Sequence, residues 1–492
     1  MLVGAGVAHQ REVAGAGLDA IALMAKAVDT AAVDAGSSEV LARIDWIGTP
    51  EGTWRHRDPG HLLAPRIGPL AAGDPHAVTT VVADVGILQQ DLLNAAAAAV
   101  MGGARVALVV GGEAKFRALQ ATIAGVELED PDEPEDAAPD ARIKPDALGV
   151  SDLEIVRNAV SPVVAYALIE NAFGHALGRT PAAHGAAVAE LWARLAAIAA
   201  DNPDAWDRTG HDVSAIADGQ APGNRMIAEP YTKRHSAQWN VDQAAALLFC
   251  SLETAQQLGI AEERFVFPRA SVVANQAVPV SERRDIHRSV GAEIGAPALL
   301  DLAGISIDDV AHLDLYSCFP SAVEILGAAL GLDVDAESRP LSVTGGLAFA
   351  GGPLNNYVLQ ALVALAARLR GDPGSVGLST SVSGFLAKQG FSLWSTTPPA
   401  RGFKSVDVSA QVAEAQDLVP VVDEAGGGTI ATWTVDHSAG APRSVAIVDR
   451  RDGTRTIGVS HDGAVAAVLL ADDPIGARAE VAAGGELTVD AP

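Results

Sequence analysis

Reactive side chains come directly after one short apolar stretch in the second half of this 492-residue chain. The stretch His312 to Leu315 is typical of a strand, and Tyr316, Ser317 and Cys318 follow it where a helix is expected to begin. A phenol can donate or accept a proton, and a thiol near a helix N-terminus can become a nucleophile. The pattern predicts a strand that ends in polar groups at the entrance of a helix.

A glycine-rich segment lies further along the chain and leads into another predicted helix. It runs from Gly345 to Tyr357 and contains two glycine pairs, Gly345-Gly346 and Gly351-Gly352. Because glycine adopts positive φ and lets the backbone pass close to a ligand, such a segment is typical of a binding site. Two strand–turn–helix junctions in one half of a chain predict an α/β site at the ends of strands.

The elements that would position these residues are apolar strands alternating with alanine-rich helices. The clearest unit is predicted as a strand at Thr79 to Ala83, a helix at Gln89 to Met101 and a strand at Ala104 to Val110. A unit of this length joins parallel strands, and its second strand is too continuously apolar to be half exposed. The later half repeats the pattern, with a strand at Ser375 to Val382, so we predict a twofold repeat of one α/β unit.

Changes in composition divide the chain into predicted units. Residues 1–262 form the first α/β half, and about residues 115–235 are a mainly helical insertion in it. Residues 263–400 form the second half. Residues 405–492 contain several short predicted strands, including Ala464 to Leu470, and this spacing is typical of a small β-barrel.

Composition excludes several classes of partner. The formal charge of −27 repels phosphate backbones and anionic lipid, so nucleic-acid and membrane-surface partners are not expected. With only two cysteines, Cys250 and Cys318, no disulfide framework is expected and a cytoplasmic location is the default. The sequence has no uninterrupted apolar run long enough to span a bilayer, and its first residues lack the basic region of a signal peptide. No metal-ligand spacing is visible, so no metal site is expected.

Several segments resemble the thiolase superfamily, specifically its sterol-carrier-protein-type, thiolase-like branch. Tyr316 to Phe319 stands where that superfamily has Asn-Glu-Ala-Phe, or His-Asp-Cys-Phe in the sterol-carrier type. Gly345-Gly346-Leu347 and Gly351-Gly352-Pro353 stand where it has Gly-Gly followed by Gly-His-Pro. Asn240 to Ala246 and Val109 to Glu113 fit two further segments of the superfamily.

The resemblance covers about residues 1–400, and the tail resembles the extra OB-like domain of a mycobacterial and actinobacterial thiolase-like type. It implies a five-layered αβαβα core of two similar halves with an inserted loop domain. It also implies an acyl-CoA thioester, bound as substrate or ligand between the halves and the loop domain, with no bound cofactor. Thiolases are usually dimers or tetramers, but a fused domain could cover the dimer surface, so both a monomer and a homodimer remain open.

The residues that carry thiolase chemistry are replaced at each corresponding position. The nucleophilic cysteine would fall at or beside Gly86, and no cysteine precedes Cys250. Gly352 replaces the histidine of Gly-His-Pro, Ser381 stands at the position of the second cysteine, and Tyr316 replaces the asparagine or histidine of the oxyanion motif. Because transfer through an acyl-enzyme needs an activated thiolate, we do not expect thiolysis through a covalent intermediate.

The groups that remain each have a functional and a structural interpretation. Tyr316 is the candidate catalytic group, with Tyr357 and Ser381 as its expected neighbours, although a buried tyrosine can equally serve the core. Cys318 belongs with Gly351-Gly352 to the oxyanion-motif region, where it is either a reactive thiol or a small buried residue.

Lys233, Arg234 and Gly346 are the candidate ligand-binding residues. The two cations belong to a short basic run that could approach a CoA phosphate, or they could lie in a solvated loop. Gly346 belongs to the glycine-rich turn that would face the thioester.

Three functions remain open for such a chain. The first is an acetyl-CoA acetyltransferase-like acyltransferase of lipid or sterol metabolism, against which the missing cysteines argue. The second is a lyase: thiolase-like aldolases of steroid side-chain breakdown also lack the nucleophile, use tyrosines in the corresponding motifs and work with an OB-fold partner. That resemblance implies retro-aldol cleavage of a β-hydroxyacyl-CoA through Tyr316. The third is a non-catalytic acyl-CoA-binding subunit.

Overall fold

The computed structural model describes residues 1–12, 17–67, 78–438 and 440–490. The strands in this part of the chain are β1 Leu2–His9, β2 Ile44–Pro50, β3 Thr79–Ala83, β4 Val106–Ala114, β5 Ala141–Ile143, β6 Met226–Ala228, β7 Tyr231–Thr232, β8 Asp242–Cys250, β9 Phe267–Ala274, β10 His312–Asp314, β11 Val376–Ser383, β12 Lys388–Ser395, β13 Lys404–Asp407, β14 Gly426–Asp436, β15 Arg443–Arg450, β16 Arg455–Ser460, β17 Arg478–Val481 and β18 Leu487–Val489.

The helices are α1 Ala20–Ala35, α2 Pro59–Leu63, α3 Gln89–Met101, α4 Lys115–Ala124, α5 Asp152–Val156, α6 Pro162–Ala176, α7 Pro181–Asp201, α8 Val213–Ala217, α9 Leu252–Gln257, α10 Val290–Ala303, α11 Pro320–Ala329, α12 Gly346–Phe349, α13 Tyr357–Gly371, α14 Ser409–Ala415 and α15 Gly463–Ala471. Short 3₁₀ turns connect several of them. Helix α1 has clear start and stop signals, since the side chain of Asp19 caps its first turn and it ends at Gly36 with φ of 72°.

The first sheet has the strand order β1-β8-β4-β2-β3-β5. Strands β3 and β4 both pair parallel with β2, and β8 pairs antiparallel with β1 and β4. The predicted strand–helix–strand unit is confirmed, since β3, α3 and β4 follow one another and the two strands are parallel. All nine residues of β8 are buried, because helices cover both faces of the sheet at this strand.

The second sheet has the order β10-β11-β12-β9-β13. Strand β10 pairs parallel with β11, which pairs antiparallel with β12. Strand β13 pairs parallel with β9, so Lys404–Asp407 belongs to this sheet, and the strands of the C-terminal domain begin only at Gly426. The second predicted α/β half is therefore a sheet of the same mixed kind as the first.

Helices and sheets alternate in five layers, as the resemblance implied. Helix α1 packs on the outer face of the first sheet, against β1, β4 and β8. Helices α3 and α13 lie between the sheets, because each contacts strands of both. Helix α10 packs on the far face of the second sheet with α11 beside it. One apolar core runs between the two sheets and a separate one lies under α1.

The insertion and the C-terminal domain are joined by a sheet. Strands β14 to β18 have the order β16-β15-β14-β17-β18, and β14 also pairs with β6 of the insertion. A single bridge joins Val459 of β16 to Glu486, beside β18. The predicted C-terminal domain of β-strands is therefore present, whereas a closed barrel of OB type stays a prediction.

The predicted strand at Ala464 to Leu470 is wrong, because this segment belongs to helix α15. Its run of apolar residues carries no period that separates a strand from a buried helix segment. The side chain of Asp462 accepts a hydrogen bond from the backbone N–H of Ala464 and starts the helix, and Val465, Ala466 and Leu469 are buried at helical spacing.

Buried polar contacts fix the C-terminal domain to the core. Arg455, with 3% of its surface exposed, donates to the backbone carbonyls of Arg283 and Arg284, the latter at 2.9 Å. On β14, Thr432 Oγ1 donates to Leu168 O of α6 at 2.5 Å. Asn171 Nδ2 of α6 donates to Trp433 O at 2.8 Å. These bonds satisfy groups that would otherwise be buried without partners, so the domain is part of the folded core.

Within the described residues, every helix falls short of the length and apolarity that crossing a bilayer would require.

We expect Arg455→Met to destabilise the protein by about 3 kcal/mol, because it leaves the carbonyls of residues 283 and 284 and the Asp449 carboxylate without their buried partner. The free energy of unfolding in urea, followed by tryptophan fluorescence, measures this loss. Arg451→Met is the matched control, since Arg451 is exposed; its effect is expected to stay below about 0.5 kcal/mol. Equal stability of the two variants would show that Arg455 does not hold the domain.

Candidate active site at the strand ends

Tyr316 lies directly after β10, at the point where the sequence predicted the site. Its backbone N–H donates to Thr380 Oγ1 of β11 at 2.7 Å. Its ring packs edge-to-face on Tyr357 with the centroids 5.7 Å apart. Among the described residues, its hydroxyl has no hydrogen-bond partner. The fold therefore brings Tyr316 and Tyr357 together, and the Tyr316 hydroxyl is the one left available.

Tyr357 is held by a buried polar network. Its hydroxyl lies 2.7 Å from Thr344 Oγ1 and donates to Asp314 Oδ2 at 3.4 Å. The same carboxylate oxygen accepts from Ser342 Oγ at 2.9 Å and from the backbone N–H of Val343 at 3.0 Å. Burial raises the pKa of Asp314 to about 7. Because Asp314 ends β10 two residues before Tyr316, side-chain alternation along the strand predicted from the sequence could have identified it.

Both tyrosines are more difficult to ionise than a tyrosine in water. Burial, with a smaller contribution from Cys318, raises the pKa of Tyr316 far above its ordinary value. Burial and the neighbouring Asp314 raise the pKa of Tyr357 in the same way. At neutral pH both phenols are therefore protonated, and Tyr316 is suited to donate a hydrogen bond rather than to act as a base.

Ser381 lies on β11 and faces α3. It pairs with Gly390 of β12, and a side chain at that glycine would overlap with Ser381 Oγ and with Gln90. Ser381 Oγ is buried and has no partner among the described residues. Its neighbour Thr380, not Ser381, is the residue of β11 that bonds Tyr316.

The position expected for a thiolase nucleophile is a turn that precedes α3. Gly86 has φ of 97°, and a Cβ there would lie 2.9 Å from Leu148 Cδ2, so a larger residue would strain the turn. Lys388 Nζ donates to Gly86 O at 3.1 Å and to Ala147 O at 3.0 Å. A buried ammonium group thus holds the turn where the superfamily has a cysteine.

Cys318 is packed among aromatic side chains. Its thiol lies beside the Tyr166 hydroxyl, and the Tyr166 ring stacks on Phe319 at 4.6 Å. Burial raises the pKa of Cys318 to about 12, and the pKa of Cys250 to about 11. Both groups are thiols at neutral pH and serve the core.

The glycine-rich turn packs closely against its surroundings. Gly351 has φ of 108°, and a side chain there would overlap with Gln243. Gly346 has φ of 78°, and a Cβ there would lie 2.7 Å from Ser317 Oγ, which accepts a hydrogen bond from the backbone N–H of Leu347. The N–H of Gly352, which replaces the superfamily's histidine, donates to Gln238 O at 2.9 Å. These contacts lock the two motifs together and put backbone where a thiolase has an imidazole.

A cavity of about 130 Å³ opens beside this turn. Its lining includes Lys233 and Arg234 from the insertion and Phe349 from α12. Arg234 donates to Ala215 O at 2.7 Å and to Pro222 O at 2.8 Å, so its guanidinium stabilises the loop. Lys233 is exposed, and among the described residues its ammonium group has no partner. Of the two predicted cations, only Lys233 is free to meet an anion.

Comparisons with known proteins place this geometry in a fold class. The chain is 18% identical to the Ltp2–ChsH2(DUF35) aldolase, covering 80% of this chain and 97% of the other at a TM-score of 0.57. It is 16% identical to acetyl-CoA acetyltransferase from Syntrophomonas wolfei, covering 80% and 98% at a TM-score of 0.52. Together with the five layers, these likenesses define a thiolase fold.

A further likeness extends over the whole chain. A monomeric SCP2-thiolase-like protein type 1 from Mycobacterium smegmatis is 29% identical, covering 100% of this chain and 98% of the other at a TM-score of 0.83. Residues 407–486 match the family described as thiolase-like protein type 1 additional C-terminal domain. No curated protein matches. The predicted resemblance to the sterol-carrier-protein-type, thiolase-like branch with an extra C-terminal domain is thus confirmed.

We expect neither cysteine of the native protein to react with Ellman's reagent at pH 8. With a pKa of about 12, Cys318 has a thiolate fraction on the order of 10⁻⁴ at that pH, and little of its surface is exposed. Absorbance of the released chromophore should show both thiols only after unfolding in guanidinium. Rapid modification of one thiol in the folded protein, assigned to residue 318 by peptide mass, would contradict this prediction.

Proposed function

We propose that the protein binds an acyl-CoA thioester without forming an acyl-enzyme. The observation that carries this proposal is the cavity beside the glycine-rich turn, which has a free cation, Lys233, at its lining and apolar surface from Phe349. An ammonium group next to an apolar wall suits a ligand with phosphate at one end and an apolar chain at the other. Because the chain as a whole carries a formal charge of −27, a free cation beside a cavity stands out from its surroundings.

The absence of a covalent step follows from the side chains at the strand ends. Cys318 is buried with a raised pKa, and Lys388 holds the turn where a nucleophile would stand. Gly352 offers no imidazole to activate a thiol. These side chains support a function that does not pass through an acyl-enzyme.

We further propose that the protein acts as a monomer located in the cytoplasm. Strand β5 pairs with β3 and covers that edge of the first sheet, while β1 is the opposite edge. Because β5 occupies the outer side of β3, a second copy cannot pair with β3 there. The M. smegmatis relative is described as monomeric.

Charge reversal at Lys233 tests the ligand site. We expect Lys233→Glu to weaken the binding of acetyl-CoA about tenfold, because it replaces an attraction to phosphate with a repulsion. The dissociation constant from isothermal titration calorimetry measures the loss. Lys26→Glu makes the same change of charge at an exposed position of α1 and should leave the affinity unchanged. Equal weakening in both variants would show that the effect comes from net charge alone. Absence of acetyl-CoA binding by the wild type would contradict the proposal.

A lyase is the second candidate function, favoured by the contact of Tyr316 with Tyr357 and of Tyr357 with Asp314. In retro-aldol cleavage of a β-hydroxyacyl-CoA the Cα–Cβ bond breaks, the β-hydroxyl loses its proton and the thioester enolate is protonated at Cα. Protonated Tyr316 would donate to the enolate oxygen. Tyr357 would receive the hydroxyl proton while passing its own to Asp314. The proton held on Asp314 would then return through Tyr357 to Cα, so that no proton is gained or lost overall.

If this candidate holds, Tyr316→Phe should lower the turnover number for a β-hydroxyacyl-CoA by at least about 100-fold, as removal of an oxyanion donor does elsewhere. Its dissociation constant for the same ester should change little, because the ring is retained. The cleavage products are measured by mass spectrometry. Full activity of the variant would exclude Tyr316 from the chemistry, and absence of turnover with intact binding would leave the binding function alone.

A further inference from the structure

Three buried side chains from three helices meet where the insertion packs on the second half. Glu170 of α6 is 0% exposed, and His184 of α7 and Glu324 of α11 are each 2% exposed. One ligand atom of each lies within 4.8 Å of the others. His184 Nε2 is 2.5 Å from Glu170 Oε1. The Tyr231 hydroxyl donates to the other oxygen of Glu170 and lies 3.1 Å from Ser321 Oγ.

The charge of Glu324 is only weakly offset by the neighbouring side chains. Two carboxylates are in contact with full loss of water, which is costly unless a cation or a proton lies between them. Arg179 Nη1 is 4.0 Å from Glu324 Oε1, but the other end of the guanidinium is bonded to Asp335. Glu324 Oε2 is buried and has no hydrogen-bond partner among the described residues. One carboxylate oxygen of the cluster is thus buried without a hydrogen-bond partner in the part of the chain that the structure describes.

We propose that Glu170, His184 and Glu324 bind a divalent transition-metal ion of the zinc type. Two carboxylates and one imidazole are donors that Zn²⁺ takes at close range in a four-coordinate site. The Tyr231 hydroxyl donates to Glu170 and would orient that carboxylate. A dication neutralises both carboxylates and gives the unpartnered oxygen of Glu324 a bond. The geometry, rather than any motif in the sequence, carries the assignment, since the sequence predicted no metal site.

The position of the cluster indicates what the ion does. Helix α11 begins directly after Phe319, the last residue of the motif that contains Tyr316 and Cys318. Tyr231 packs on Phe319 with the ring centroids 5.3 Å apart. An ion that joins α6 and α7 of the insertion to α11 fixes this motif relative to the insertion. It is a structural site, because all three side chains are buried.

Metal binding by the full-length protein tests the proposal. The protein is stripped with a chelator, dialysed and titrated with ZnCl₂ by calorimetry, and metal content is measured by mass spectrometry after desalting. We expect one zinc per chain for the wild type, with a higher melting temperature than the stripped form. Glu324→Gln and His184→Gln should weaken zinc binding at least about 100-fold. His175→Gln is the matched control, since His175 is exposed and pairs with Asp473, 2.6 Å away, and this variant should bind like the wild type.

Two results would overturn the assignment. One is folded wild-type protein that takes up no stoichiometric zinc, together with a Glu324→Gln variant more stable than the wild type, which would show that a shared proton occupies the position. The other is equal zinc affinity in Glu324→Gln and the wild type, which would place the metal elsewhere. Because glutamine matches glutamate in size, the Glu324 variant is expected to fold, and circular dichroism checks this. Co²⁺ in place of Zn²⁺ gives a visible absorption band that should disappear with His184→Gln.

Discussion

Exclusion of water from the ends of β10 and β11 is the constraint on which the site depends. Tyr316, Tyr357, Cys318 and Asp314 are all buried there, and burial is the largest cause of the pKa shift of each. Desolvation favours the uncharged form of every acid, so the phenols and the thiol keep their protons. A thiolase site needs the opposite, a thiolate stabilised near a helix. The same desolvation keeps the phenols of Tyr316 and Tyr357 uncharged, so that they are suited to donate hydrogen bonds.

The backbone of a thiolase site persists around these altered side chains. Gly346 and Gly351 adopt positive φ in spaces that leave no room for a Cβ, and Ser317 bonds the turn to the strand-end motif. These constraints are steric and do not depend on a reaction. The C-terminal domain also holds the core in place. Arg455 bonds the backbone of Arg284, and β14 packs on α6.

Local patterns in the sequence predicted much of the frame. The unit from β3 to β4, the strand end at Tyr316 and the helix after it follow from hydrophobic period and glycine placement. The strand predicted at Ala464 to Leu470 failed because a uniformly apolar run has no period, and capping by Asp462 made it a helix. Asp314 was not identified from the sequence as the partner of Tyr357, although it lies only two residues before Tyr316. The cluster of Glu170, His184 and Glu324 lay beyond sequence reasoning, because three separate helices assemble it.

The most direct test of the account is incubation of the protein with a 3-ketoacyl-CoA and free CoA, with products and intact protein followed by mass spectrometry. The account predicts no chain-shortened acyl-CoA above the level without protein and no acyl adduct on the chain, while the ketoacyl ester still binds. Formation of the shortened ester, or an acyl group on Cys318, would contradict it. Either result would show that the desolvated thiol is active after all.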